Sequence, residues 1–152
     1  MRNQSAAWIM AIAIIASFQV IIRAQTSHVQ LPLAETMVSC TGEPVAITGT
    51  IDVSVQTTFD GSGGSHHKFH MVSKGKGVGA VTETKYVYSE EDNQELSESG
   101  PSDQTSFSWE INHLLISSSS EEDFFAKLTL HLTINANGVL TAFVDKVEAD
   151  CR

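Results

Sequence analysis

From Val45 to Phe59 apolar and polar residues alternate. Val45, Ile47, Ile51, Val53, Val55 and Phe59 fall on one side, with Gly49 and Thr57 in the same register; Ala46, Thr48, Thr50, Asp52, Ser54, Gln56 and Thr58 fall on the other. A period of two is strand geometry, so this stretch predicts a long strand with one buried face and one wet face. Gly49 interrupts the apolar row and is expected to mark a bend or bulge. The run "DGSGG" is rich in residues that tolerate positive φ and predicts a turn. After it the alternation resumes, with His67, Phe69 and Met71 on the apolar side and His66, Lys68 and His70 on the polar side.

The pattern then weakens. "SKGKGVGAV" reads as a glycine-rich connection, and "TETKYVYS" as a strand with Tyr86 and Tyr88 on one face and Lys85 and Val87 on the other. Residues 90–104 hold only polar residues, acids, Leu96 and a Gly-Pro pair, and are expected to be a long mobile loop. Phe107, Trp109, Ile111, His113 and Leu115 mark the inner face of the next strand; "SSSSEED" is a second acidic loop. Leu128, Leu130, Leu132 and Ile134 mark another inner face, and "NANG" is a hairpin turn. The last strand is apolar on both faces: Val139, Phe143 and Val147 share one, Leu140, Ala142 and Val144 the other. A bulge near Asp145 would reconcile them.

No stretch after the first 24 residues keeps a helical period long enough for a stable helix. Successive hairpins predict an all-β fold, an antiparallel meander closing into a small barrel of about six to eight strands, with a β-sandwich as the alternative.

The N-terminus differs from the rest. Arg2 precedes an apolar run over residues 8–22, broken only by Ser17 and Gln19. The run is short for a bilayer span and suits a secretory signal, so residues 1–24 are expected to be a signal peptide cleaved after Ala24. Residues 25–37 then form an N-terminal extension and 38–152 a single all-β domain. The formal charge of −9 becomes more negative by two when Arg2 and Arg23 leave with the signal. Such a chain repels nucleic acid and anionic membranes, and no membrane association is expected after cleavage. The partners left are a protein surface or a small apolar ligand. Cys40 and Cys151 are the only two cysteines. In an exported chain an even pair predicts a disulfide, here one fastening the first strand to the last.

Candidate chemistry is sparse. Half of the six histidines lie in residues 66–70. On a strand His66 and His70 stand about 13 Å apart, too far to share one metal ion, so a metal site there needs a ligand from a neighbouring strand such as His131 or Asp52. His67 is expected to be a core or cavity-lining histidine with a hydrogen-bond partner. The serines lack a nucleophile elbow, and "GKGVG" lacks the Lys-Ser/Thr ending of a phosphate loop. Glu90, Glu91 and Asp92, and Glu121, Glu122 and Asp123, do not match a calcium loop and read as solvated. No catalytic residue and no cofactor is predicted. His67, Trp109, His113 and Tyr86 are the candidate lining of a barrel cavity, against the alternative of a filled core.

Thr48 to Thr50 ("TGT"), "TTFDGSGGSHHKFH", "GKGVGAVTETKY" and "LTINANGVLTAFVD…C" together resemble a set of small exported bacterial proteins. That set has a Thr-Gly-Thr strand, an Asp-x-x-Gly-Gly-x-His hairpin and an Asn-Ala-Asn-Gly hairpin with a late cysteine. The resemblance implies exported β-structure and carries no catalytic residue. Three readings follow: a non-enzymatic binding or surface-interaction module; a carrier or enzyme using a barrel cavity; and a metal-binding protein using the His66/His70 region.

Overall fold

The computed structural model describes residues 24–61, 63–98, 104–119 and 123–151. Residues 1–23 of the expected 1–24 signal lie outside them, as do parts of both acidic loops. Among the described residues there is no helix. Seven strands run in chain order: β1 (Ala24–Val38), β2 (Pro44–Phe59), β3 (Ser65–Gly79), β4 (Lys85–Glu98), β5 (Gln104–Ser117), β6 (Phe124–Asn135) and β7 (Leu140–Asp150). They form one sheet in sequential order, each strand antiparallel to the next, curled into a nearly closed barrel.

The inner face is the apolar one that the alternation predicts. Val45, Ile51, Val53, Val55, Met71, Leu115, Leu130 and Leu132 are fully buried, and Trp109, Ile111, Leu128 and Ile134 nearly so. The segment expected to be an extension is β1. Its Leu33 and Met37 are buried, and its whole length pairs with β2 from Ala24–Thr58 to Val38–Pro44. Pro32 hides this strand from pattern reading, because proline cannot donate to a ladder. It is tolerated because β1 is an edge strand.

Seven strands in a meander leave β1 and β7 running in the same direction. Their seam is held at its ends. Leu140 N–H donates to Ser27 Oγ at 3.0 Å near the start of both strands. Cys40 and Cys151, just past the end of both, form a disulfide with a Cα–Cα distance of 5.4 Å and a sequence separation of 111. The bridge points to an oxidising, non-cytoplasmic environment. No helix among the described residues is long and apolar enough to cross a membrane.

The expected bulge in β7 is present. Thr129 pairs with Lys146 and Leu130 with Val144, so Asp145 is the extra residue. The extra residue changes parity, and both Leu140–Ala142–Val144 and Val147–Ala149 pack on the core.

Gly49 makes no bulge; its register with Leu33 and Gly75 is unbroken. One cross-strand row runs Leu33–Gly49–Gly75–Tyr88. A methyl group at Gly49 or at Gly75 would collide with Tyr88 Oη, so the tyrosine ring fills the space that two missing side chains leave. The next row pairs Ile47, Gly77 and Tyr86. The "glycine-rich connection" is therefore the second half of β3; Gly75 is covered by the Tyr88 ring, Gly77 by Val45, Tyr86 Cβ and Leu115, and Gly79 by the Glu43 carboxylate.

Candidate functional site

The four candidate cavity residues are all buried, and His113 is the one that borders the described cavity. His113, 3% exposed, lies beside a cavity of about 10 Å³ with Leu33, Ile47, Tyr88, Leu115 and Leu128. That volume is at the lower limit for one water molecule. His113 packs edge-on against Tyr88 with ring centroids 5.2 Å apart, and its Nε2 has no hydrogen-bond partner. Burial lowers its pKa from 6.5 to about 4, so the ring is neutral near pH 7. Burial likewise raises the Tyr88 phenol. Ser73 partly offsets this from close by, although the pair's geometry falls short of a hydrogen bond.

His67 sits towards the other end of the barrel, also 3% exposed. Thr57 Oγ1 is 2.9 Å from its Nδ1, and Ser65 Oγ is 3.0 Å from its Nε2. Both ring nitrogens are thus satisfied, one donating and one accepting in the neutral ring. Burial lowers its pKa; Glu98 acts in the opposite direction, and His66 adds to the lowering. Ser65 and His67 have the separation of a nucleophile and base, but Thr57, and no carboxylate, holds the second nitrogen. The cluster is a hydrogen-bonded polar plug at the barrel end, continued by Thr105 Oγ1, which donates to Glu98. Tyr86 packs edge-on against Phe124 and Trp109 against Phe69; both belong to the filled core.

The remaining histidines lie on the outer face, each beside its own partner. His66 meets Ser97 at 2.9 Å, and His70 meets Asn93 at 3.0 Å with Glu91 at 3.7 Å. His131 meets Ser108 at 2.9 Å and Asp145 at 3.4 Å, and His28 meets Asp52 at 3.4 Å. The described residues hold no group of three or more His, Cys, Asp or Glu placed to bind a metal ion.

The acidic stretch after Tyr88 is the feature that pattern reading missed. It continues β4 to Glu98 and pairs with β3 along its whole length, His70 opposite Asn93 and Ser65 opposite Glu98. The positions in register with buried Tyr86 and Tyr88 are Glu90, Asp92, Gln94, Leu96 and Glu98. Carboxylates cannot enter the apolar interior unpaired, so β4 draws away from β5 here. Among the described residues the two strands pair only at Tyr86–Ser117 and Val87–Ile116. Beyond that point side chains bridge them: Trp109 Nε1–H donates to Asp92 Oδ2 at 3.1 Å, and Thr105 to Glu98. Phe107 lies half-buried at this opening, its ring edge-on to Phe69 at 4.8 Å.

No family model matches the chain, and no curated protein or solved structure does.

Proposed function

We propose that the protein is an exported, non-enzymatic binding module that acts through its outer surface and its sheet edges. The packed apolar core among the described residues is the observation that supports this reading. A carrier for a drug-sized ligand needs a pocket of roughly 300 Å³ or more, far beyond the single-water space beside His113. Enzymatic use of the interior is disfavoured because His67 is saturated by two hydroxyls and His113 faces apolar side chains. Export is supported by the Cys40–Cys151 bridge together with the signal-like N-terminus, and by the resemblance to exported β-proteins. Secretion into a periplasm or an extracellular medium fits the same observations.

The reading is tested by titrating the oxidised protein with apolar fluorescent dyes and by photo-cross-linking from outward positions of β2, β4 and β6. No saturable dye uptake, together with discrete protein adducts, is the expected outcome. One-to-one dye uptake blocked by Leu128→Trp, with no adducts, would favour a carrier.

A further inference from the structure

The opening between β4 and β5 has the features of a strand-binding site. Past Val87, β4 has a ladder partner on one side only; β3 covers that side and leaves the other edge unpaired along Tyr88–Glu98. Facing it, β5 pairs with β6 on one side and has no ladder partner on β4 among the described residues from Thr105 to Leu115. Unpaired strand edges are templates for another extended chain, which supplies the missing backbone hydrogen bonds.

The charge on β4 selects the chain. Five carboxylates lie along the free stretch: Glu90, Asp92 and Glu98 on the inward side, Glu91 and Glu95 on the outward side. A second copy presenting the same edge would bring like charges together across the ladder, which is destabilising. A strand carrying lysine or arginine on both faces would pair with these acids. Exposed aromatic surface at Phe107 gives an apolar contact at the floor. We infer that the β4–β5 opening binds an extended, basic segment of a partner protein by strand addition to β4. The segment replaces the side-chain bridges Trp109–Asp92 and Thr105–Glu98 with a backbone ladder. This assignment rests on the binding-module reading and names one surface for it.

The test uses the full oxidised chain and three synthetic peptides of about ten residues, a length that spans the free edge. The first alternates lysine with valine or threonine. The second has the same side chains with alternate backbone amides N-methylated along one edge. The third has glutamate for lysine. Binding is followed by isothermal titration and by amide hydrogen exchange. The lysine peptide is expected to bind, to weaken with added salt, and to protect backbone amides within residues 89–98. N-methylation is expected to weaken binding at least about tenfold. The exposed double variant Glu91→Gln/Glu95→Gln removes both outward charges, which face His70 and Lys68 of β3, and with its fold checked by circular dichroism its affinity for the lysine peptide is expected to drop by about tenfold or more at low salt.

Equal binding of the N-methylated peptide would reduce the effect to general attraction by an acidic protein and overturn the proposal. Protection confined to the exposed apolar patch of Val78, Val87, Ile116 and Phe125 would overturn it too, as would absence of binding by the lysine peptide. In each of these cases cross-linked adducts from other outward positions would leave the binding-module reading standing; loss of both would remove it as well.

Discussion

Acidification is expected to weaken this fold through His113, well before the carboxylates titrate. In the native state the ring is buried beside Tyr88, its Nε2 is unpartnered, and its pKa is about 4 against an ordinary 6.5. Between those values the unfolded chain binds a proton that the native ring does not, so stability rises with pH across the window. His113's contribution is fully present above pH 6.5, is lost progressively below it, and levels off near pH 4. The slope is about 1.4 kcal/mol per pH unit, giving a loss of about 2 to 3 kcal/mol between pH 7.5 and 4.5. His67 adds a loss of the same sign, since its pKa is also lowered by burial. Glu43 acts only at the acid end of this window: the backbone N–H groups of Thr82 and Val81 hold its carboxyl below the ordinary 4.5, so its contribution is lost as the pH falls below that value. Neutralisation of the acidic surface acts in the opposite direction by relieving repulsion, and added salt suppresses it.

The assay is urea unfolding followed by near-ultraviolet circular dichroism at several pH values and high salt, on the parent and on His113→Phe. The variant keeps a ring against Tyr88, removes the unpaired nitrogen, and is expected to have a flatter pH profile. If both proteins lose stability in parallel between pH 6.5 and 4.5, His113 is not a buried neutral group and the argument fails.

Reducing Cys40–Cys151 releases a loop closed over a separation of 111 residues, which costs up to about 5 kcal/mol by the loop-entropy relation; an unchanged thermal midpoint in reductant would contradict this. Gly49→Ala is expected to cost about 3 kcal/mol, because the new methyl group meets both Tyr88 Oη and the Lys74 carbonyl oxygen. Gly42→Ala, at φ +86° but in open space, is expected to cost about 1 kcal/mol from backbone strain alone. Equal denaturant midpoints for these two variants would show that Tyr88 does not occupy the glycine row. Deleting Asp145 turns Leu140, Ala142 and Val144 outwards and is expected to cost about 3 kcal/mol or more; a silent deletion would mean that the bulge is not needed for register.

Legibility in the sequence followed the side chains that carry period two. β2, the first half of β3, β5 and β6 are visible because large apolar residues occupy successive inward positions. The bulge at Asp145 is visible for the same reason, as a change of parity within one strand. Three stretches were misread, and each lacks that signal for its own reason. In β1 a proline sits where an edge strand tolerates it. Glycines 75, 77 and 79 face inwards with no side chain to count, and the groups that fill their volume, Tyr88, Val45 and Glu43, lie elsewhere in the chain. In β4 the inward positions beyond Tyr88 are carboxylates and amides, which resemble a loop because the strand has left the core. Alternation shows which way a side chain points but not which neighbours surround it. His67 and His113 look equivalent on that basis. Only the structure separates a histidine satisfied by Thr57 and Ser65 from one with a bare nitrogen.

The parallel seam has a consequence for the order of assembly. Each of the six strand pairings joins neighbours along the chain, so the hairpins can form one after another as the polypeptide emerges. Contact between β1 and β7 is the exception, and Cys151 follows the whole of β7. Oxidation therefore cannot guide the early steps. It acts as a latch on an almost finished barrel, and a chain interrupted before β7 would keep a reactive thiol at Cys40 and an unclosed edge at β1.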